Sequence, residues 1–193
     1  MTADADLVAA MRAGDSTAFE ALYDKYKAQI FRSALAITGD KRTAEEVLQD
    51  TFVQAYTHAG SIDESVSIAP WLHRIAINLS ANRRARRQFI LVPLDSLTNL
   101  LFANDDESPE RLAEQNELRR AVQRAVANLD FKHRAVIVLF YLQDFSLKEI
   151  AYILDCPVGT VKSRLHYACQ TLKHGLTPDR GPTDVSQGVP VEL

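Results

Sequence analysis

The chain has little of what enzymes and secreted scaffolds usually need. Only seven of its 193 residues are glycine, and none lies between Gly60 and Gly159. This argues against a glycine-rich phosphate loop in that stretch. The two cysteines, Cys156 and Cys169, are too few for a disulfide scaffold or a four-cysteine metal site, and the five histidines lack ligand-pair spacing. We therefore predict no catalytic residue, no metal, no cofactor and no small-molecule substrate.

Long hydrophobic runs are also missing. The longest uncharged apolar run is Ala135–Leu142, eight residues, whereas a membrane-spanning helix needs roughly 20. No basic residue precedes Arg12, so the start of the chain does not have the pattern of a secretory signal. We predict a cytoplasmic protein with reduced thiols and no membrane insertion.

The net charge of −3 conceals strong segregation of charge along the chain. Residues 1–64 carry six basic and eleven acidic residues, and residues 65–94 carry five basic residues and no acid. Residues 95–117 carry one basic residue and seven acids. A basic block beside acidic blocks is a recognised indication of contact with nucleic acid.

Apolar residues recur at steps of three and four, which predicts an all-α fold. Capping-box spacing occurs at Thr17/Glu20, Thr43/Glu46 and Ser146/Glu149. We expect a loop over 61–69, with the next helix running from Trp71 to about Gln88. We predict two small helical domains (1–90 and 110–175), an acidic flexible linker (91–109) and a disordered tail that lacks an apolar stripe (176–193).

Two short helices with almost nothing between them, Ser146–Asp155 and Pro157–Lys173, have the spacing of a helix-turn-helix. No acid occurs between Gly159 and Gly175, so the second helix can present a basic and polar face to DNA. A helical hairpin with a solvated face has the same pattern, and the spacing alone does not separate the two.

The basic block is concentrated in one helix, where four of the five residues 83–87 are arginine. Arginine suits phosphate because its planar fork is always charged, and asparagine can read a base edge. A merely solvated helix end normally mixes charge signs, which favours nucleic-acid contact here.

Three motifs together resemble the extracytoplasmic-function sigma factors of the bacterial sigma-70 family. Residues 43–52 (TAEEVLQDTF) resemble the polymerase-binding helix, and 71–78 (WLHRIAIN) resemble the motif after the promoter-melting loop. Residues 145–172 are similar to the C-terminal helix-turn-helix. Leu129-Asp130 stands where the family usually has Leu-Pro, and the loop 61–69 lacks the aromatic residue often found there.

The resemblance implies a promoter-directing transcription factor with three partners: core RNA polymerase, promoter DNA and an anti-sigma factor. Region 2 (1–90) would bind polymerase and open the −10 element, and region 4 (110–175) would bind the −35 element. The polymerase-binding residues implied are Glu45, Glu46, Gln49, Asp50 and Gln54. The −10 residues implied are Ser61, Ile62, Asp63, Asn78, Asn82, Arg83, Arg84, Arg86 and Arg87. The −35 residues implied are Lys162, Ser163, Arg164, His166 and Tyr167.

Two other functions fit parts of the sequence. An ordinary helix-turn-helix regulator would use residues 1–90 for a ligand or a dimer, but it has no need of the polymerase-helix motif at 43–52. A sigma-like decoy for an anti-sigma factor has no need of five arginines at 74–87.

Overall fold

The computed structural model describes residues 4–62, 67–86 and 121–176, and all regular structure within them is helical. The first part contains α1 (Asp4–Arg12), α2 (Ser16–Thr38), α3 (Lys41–Thr57), a 3-10 turn (Ala59–Ser61) and α4 (Ile68–Arg86). The all-α prediction is confirmed for these residues.

The second part continues the same architecture. Residues 121–128 are helical (α5), followed by α6 (Phe131–Ile137), a π-helical segment (Val138–Leu142), α7 (Leu147–Ile153) and α8 (Val158–Leu176). The predicted linker 91–109 lies outside the described residues, as does the predicted tail after Leu176, the last residue of α8.

Two of the helix starts differ from the predicted capping boxes. Asp15 caps α2 by accepting a hydrogen bond from the Thr17 N–H, and Asp40 caps α3 in the same way through Thr43. The Thr17 hydroxyl and N–H lower the pKa of Asp15. The predicted boxes at Thr17/Glu20 and Thr43/Glu46 are wrong because an aspartate two or three residues upstream takes the cap position first.

Helix α4 begins at Ile68, three residues before the predicted start at Trp71. Ile68 is buried, so packing extends the helix backwards into the expected loop. Pro70 falls in the first turn, where backbone N–H groups have no intrahelical partner and proline is tolerated.

The first four helices surround one apolar core. Ile30 and Leu35 of α2, Val47 of α3 and Leu72 of α4 are almost fully buried in it. Phe19 extends this core outward, with its ring centroid 5.2 Å from that of Tyr56. These helices form one packed unit.

A second apolar cluster joins this unit to the C-terminal helices. Ile37 of α2 and Ile77 of α4 pack in the same cluster as Leu139, Ile150 and Val161. The buried guanidinium of Arg134 in α6 donates to the Ile37 carbonyl at 2.9 Å and to the Leu129 carbonyl at 3.0 Å. The two helical units are therefore in direct contact.

His73 of α4 lies at the centre of this contact. Its side chain is fully buried, its ring is 4.8 Å from the Phe145 ring, and its Nδ1 lies 2.9 Å from the Ala69 carbonyl oxygen. A carbonyl can only accept, so Nδ1 carries the proton and Nε2 is a bare buried acceptor. Burial lowers the pKa of His73 to about 4, and the hydrogen bond to Ala69 only partly opposes this shift.

The His73 pKa predicts a specific loss of stability in mild acid. In the unfolded chain the imidazole takes up a proton near pH 6.5, whereas in the folded chain it stays neutral until about pH 4. The free energy of unfolding should therefore fall by up to about 3 kcal/mol as the pH drops through this window. Denaturant titrations of the wild type and His73→Gln between pH 7 and 4 measure the difference, and parallel curves would contradict the assignment.

Candidate nucleic-acid interface

Helix α3 presents a polar face to solvent. The residues implied for polymerase binding all lie on it: Glu45, Gln49 and Gln54 are exposed, and Glu46 and Asp50 are half-buried. The opposite face packs Ala44, Val47, Thr51, Phe52 and Ala55 into the core. Because the buried residues of α3 recur every three or four positions, the implied residues between them share the solvent-facing surface.

Two apolar residues on the same surface were not predicted. Val53 is 63% exposed and Tyr56 is 51% exposed. The Tyr56 ring packs edge-to-face against Phe19, with the ring centroids 5.2 Å apart. Apolar side chains exposed among carboxylates are typical of a protein-binding surface. Val53 was the sequence signal for this surface, because it is an apolar residue out of phase with the buried positions Phe52 and Ala55.

Arg83 does not point freely toward a DNA path. One terminal nitrogen of its guanidinium is 2.7 Å from the Glu46 carboxylate, and the other binds Asp50. Arg83 therefore links α4 to the polar face of α3. No spacing along the chain predicted that a residue implied for DNA binding would pair with two residues implied for polymerase binding.

The other implied −10 residues on α4 are placed as follows. Asn78 and Asn82 are exposed. The backbone of Arg84 and Arg86 belongs to α4, while their side chains and the whole of Arg87 lie outside what the structure describes.

The root of the expected melting loop is held by the N-terminal helix. Arg12 of α1 donates from Nε to the Ala59 carbonyl at 2.9 Å and from its terminal nitrogen to the Ile62 carbonyl. Ile62 is only 5% exposed, so its side chain packs in the core instead of facing a DNA strand. The implied residue Ser61 ends the 3-10 turn, and Asp63 lies outside the described residues.

The helix-turn-helix spacing corresponds to α7 and α8. The capping box at the start of α7 is confirmed: Ser146 accepts from the Glu149 N–H, and Glu149 accepts from the Ser146 N–H. Asp155 in the turn adopts a left-handed backbone with φ of 48°, which reverses the chain. Ile150, Ile153 and Val161 are buried between the helices.

Helix α8 exposes most, but not all, of the implied −35 residues. Lys162, Ser163, His166 and Tyr167 are exposed. Arg164 is half-buried, and its guanidinium lies 3.7 Å from the Cys156 sulfur. The expectation of five residues on one outer face is therefore wrong for Arg164, which a helical turn of 3.6 residues places at the side of the face.

The start of α6 explains the departure at Leu129-Asp130. Asp130 caps α6 by accepting from the His133 N–H at 2.9 Å. Aspartate is a preferred N-cap, so it begins this helix where the family usually has proline.

Arg74 links the two units at their surface. Its guanidinium donates to the Tyr152 carbonyl at 2.9 Å, lies 3.3 Å from the Asp155 carboxylate and stacks 5.1 Å from the Tyr152 ring centroid. This arginine of the basic block therefore binds the helix-turn-helix, so within the described residues it is engaged by protein.

The described residues lack two further kinds of feature. No group of three histidine, cysteine, aspartate or glutamate side chains comes together there to hold a metal ion. No helix in the described ranges has the length and apolar character needed to cross a membrane.

Two family models match the chain, one on each helical unit. "Sigma-70 region 2" matches residues 22–90, and "Sigma-70, region 4" matches residues 119–172. The first match covers the α3 face and α4, and the second covers the helix-turn-helix.

Curated relatives match over most of their length. The chain is 32% identical to the ECF RNA polymerase sigma factor SigW of Bacillus subtilis, over 86% of this chain and 92% of SigW. It is 33% identical to the ECF RNA polymerase sigma factor SigL of Mycobacterium tuberculosis, over 86% of this chain and 93% of SigL.

Solved structures share the fold. CnrH, in complex with the cytosolic domain of CnrY, has a TM-score of 0.70 and 25% identity, covering 92% of this chain and 99% of CnrH. RpoE of Bartonella quintana, in complex with the anti-sigma factor NepR, has a TM-score of 0.63 and 22% identity, covering 84% of this chain and 98% of RpoE.

Proposed function

The chain belongs to the sigma-70 family, among the extracytoplasmic-function sigma factors, and we propose that it divides promoter recognition between the two surfaces described above. As a member of this family it is an initiation factor that directs RNA polymerase to promoters. One observation supports these two separate roles: the same chain has both the polar face of α3 and a basic helix α8 with exposed side chains. A helix-turn-helix regulator or a decoy needs only one of these surfaces.

We assign polymerase docking to α3. Glu45, Gln49 and Gln54 are exposed, and Val53 and Tyr56 add an apolar patch among them. This surface suits a partner helix with basic and apolar side chains. No group in either surface is assigned a catalytic role, because promoter recognition requires binding and strand separation but no covalent chemistry by this chain.

We assign −10 recognition to the C-terminal half of α4, where Asn78 and Asn82 are exposed, and −35 recognition to α8. The amides of Asn78 and Asn82 can hydrogen-bond bases, and the basic end of the helix can follow the phosphates. On α8, Lys162, Ser163 and His166 are exposed, and the second helix of a helix-turn-helix presents such side chains to the major groove.

The contact between the two units opposes simultaneous binding of both elements. The −10 and −35 elements are centred about 25 base pairs apart, which corresponds to roughly 85 Å along B-DNA. In the described structure Phe145, just before α7, packs against His73 of α4, and Tyr152 of α7 contacts Arg74. We propose that this closed arrangement is the form of the free chain and that promoter binding requires the units to separate.

We also propose a cytoplasmic protein held inactive by an anti-sigma factor. CnrH, whose structure is similar over nearly all of this chain, is found in complex with the cytosolic domain of CnrY. A partner that covers the α3 face and the helix-turn-helix would block polymerase and DNA together.

In vitro transcription tests the proposed function directly. Core enzyme supplemented with this protein should produce promoter-specific transcripts from a library of genomic fragments, and core enzyme alone should not. The protein alone should bind the same fragments poorly. If no fragment yields a specific transcript, the proposal fails.

Arg164 should read a base although it lies at the side of the α8 face. In the holoenzyme, Arg164→Ala should reduce discrimination between −35 variants by about 1–3 kcal/mol at one base pair. Lys162→Ala is the comparator: as a phosphate contact it should weaken all sequences equally and reduce the salt slope by about 0.9. A uniform loss for Arg164→Ala would instead make Arg164 a phosphate contact.

Arg74→Glu should open the closed arrangement. A carboxylate at this position repels Asp155 and cannot donate to the Tyr152 carbonyl. Small-angle scattering of the free chain should give a larger radius of gyration, with helical circular dichroism unchanged. Asn82→Glu adds a carboxylate to an exposed position of the same helix, two turns away from Arg74, and an equal expansion in both variants would contradict the role of Arg74.

A further inference from the structure

Three side chains from two proposed sites form one ion-pair cluster. Arg83 of α4 binds Glu46 at 2.7 Å with one terminal nitrogen and Asp50 with the other. Glu46 and Asp50 are four residues apart on α3 and therefore neighbours on one helix face. The guanidinium fork spans both carboxylates, a geometry that the single ammonium of lysine cannot reproduce. We call these three residues the Arg83 cluster.

The cluster is accessible to a competing charge. The side chain of Arg83 is 24% exposed, and those of Glu46 and Asp50 are 43% and 47% exposed. Arg42 also approaches Glu46, at 3.4 Å, from the solvent side. The outer edges of both carboxylates can therefore be reached by basic side chains of a partner without unfolding either helix.

The two proposed roles compete within this cluster. Glu46 and Asp50 belong to the proposed polymerase surface, whereas Arg83 belongs to the proposed −10 strand path. In the free chain both terminal nitrogens of Arg83 bind carboxylates, which neutralise the arginine and repel phosphate. The three side chains of the cluster carry one net negative charge, and Arg42 beside Glu46 brings the local sum to zero. A nucleic-acid strand therefore meets no net positive charge at this position in the free chain.

Building on the proposed function, we propose that Arg83 is exchanged between the two sites. Polymerase docking supplies basic side chains to Glu46 and Asp50, and this competition releases the Arg83 guanidinium to bind a phosphate of the separated −10 strand. Linkage is reciprocal: the factor by which polymerase raises the affinity for the strand equals the factor by which the strand raises the affinity for polymerase. The cluster thus weakens strand binding by the free chain and couples it to polymerase.

The coupling has a bounded size. Partly exposed ion pairs are individually weak, so release of Arg83 should change strand affinity by a few-fold to about tenfold. One additional phosphate contact to a single strand should also steepen the dependence of log affinity on log salt by about 0.7. These two quantities are the readouts.

Carboxamide substitutions release Arg83 without polymerase. The full-length variant Glu46→Gln/Asp50→Asn should bind a short labelled oligothymidylate a few-fold to about tenfold more tightly than the wild type, with the steeper salt slope. The matched control for charge is Glu45→Gln on the same helix, since Glu45 lies 3.9 Å from Lys41 and its pairing does not involve Arg83. The single variant Asp50→Asn should raise the affinity for oligothymidylate more than Glu45→Gln does, although each removes one negative charge.

The same substitutions in an Arg83→Gln background decide between release and simple net charge. If Arg83 is the group released, the excess over Glu45→Gln should disappear in that background. If the full gain persists, net charge explains it and the proposal is overturned. If no gain occurs with Arg83 present, the proposal is also overturned.

A second variant leaves α3 untouched. Arg83→Lys keeps the charge but cannot bridge both carboxylates, so it should bind oligothymidylate more tightly than the wild type. Circular dichroism establishes that each variant is folded before binding is measured. Binding no tighter than that of the wild type in folded Arg83→Lys would contradict the exchange.

The outcome is separable from that of the proposed function. The oligothymidylate measurements need neither polymerase nor a known promoter. A chain that supports promoter-specific transcription but has no Arg83-dependent gain overturns only the exchange. A chain that has the gain but supports no transcription overturns only the polymerase role, and with it the identity of the competing partner.

Discussion

Helix α4 packs on several sides at once, and both helical units depend on it. Leu72 and Ala76 belong to the first core, while His73 and Ile77 face the second, where the His73 ring meets Phe145. Two of its arginines are engaged as well, with Arg74 bound to the helix-turn-helix and Arg83 to α3. A helix with so many neighbours has no simple polar face. The positions of α3 and of α7, the first helix of the helix-turn-helix, are therefore both set by packing on α4.

The contacts along α4 differ in strength, and therefore in how easily a partner can replace them. The buried contacts of His73 and Ile77 exclude water and favour the closed arrangement through apolar burial. The contacts of Arg74 and Arg83 are partly exposed ion pairs, which are weak and easily exchanged. A partner of matching charge can replace such pairs without disrupting either core. This division suits a protein that must change partners during initiation.

Local signals in the sequence predicted much of the fold. The apolar periodicity placed the helices, Ser146 and Glu149 specified a capping box that the structure confirms, and Asp130 begins α6 where a proline was expected by resemblance. The errors arose where a competing local or tertiary interaction was stronger. Asp15 took the cap position from Thr17, and burial of Ile68 extended α4 beyond its predicted start.

The sequence by itself determined the family, the all-α class and the helix that carries each motif, because these depend on short-range spacing of residue types. It also located the basic and acidic blocks along the chain. Only the tertiary structure decided how those charges are used, since an ion pair depends on distance in space and not on separation along the chain. Arg83 lies 33 residues from Asp50 and Arg74 lies 78 residues from Tyr152, yet each pair is in direct contact. Packing likewise turned Ile62 into the core and Arg164 toward Cys156, because a side chain's direction follows from the surface its helix or loop buries.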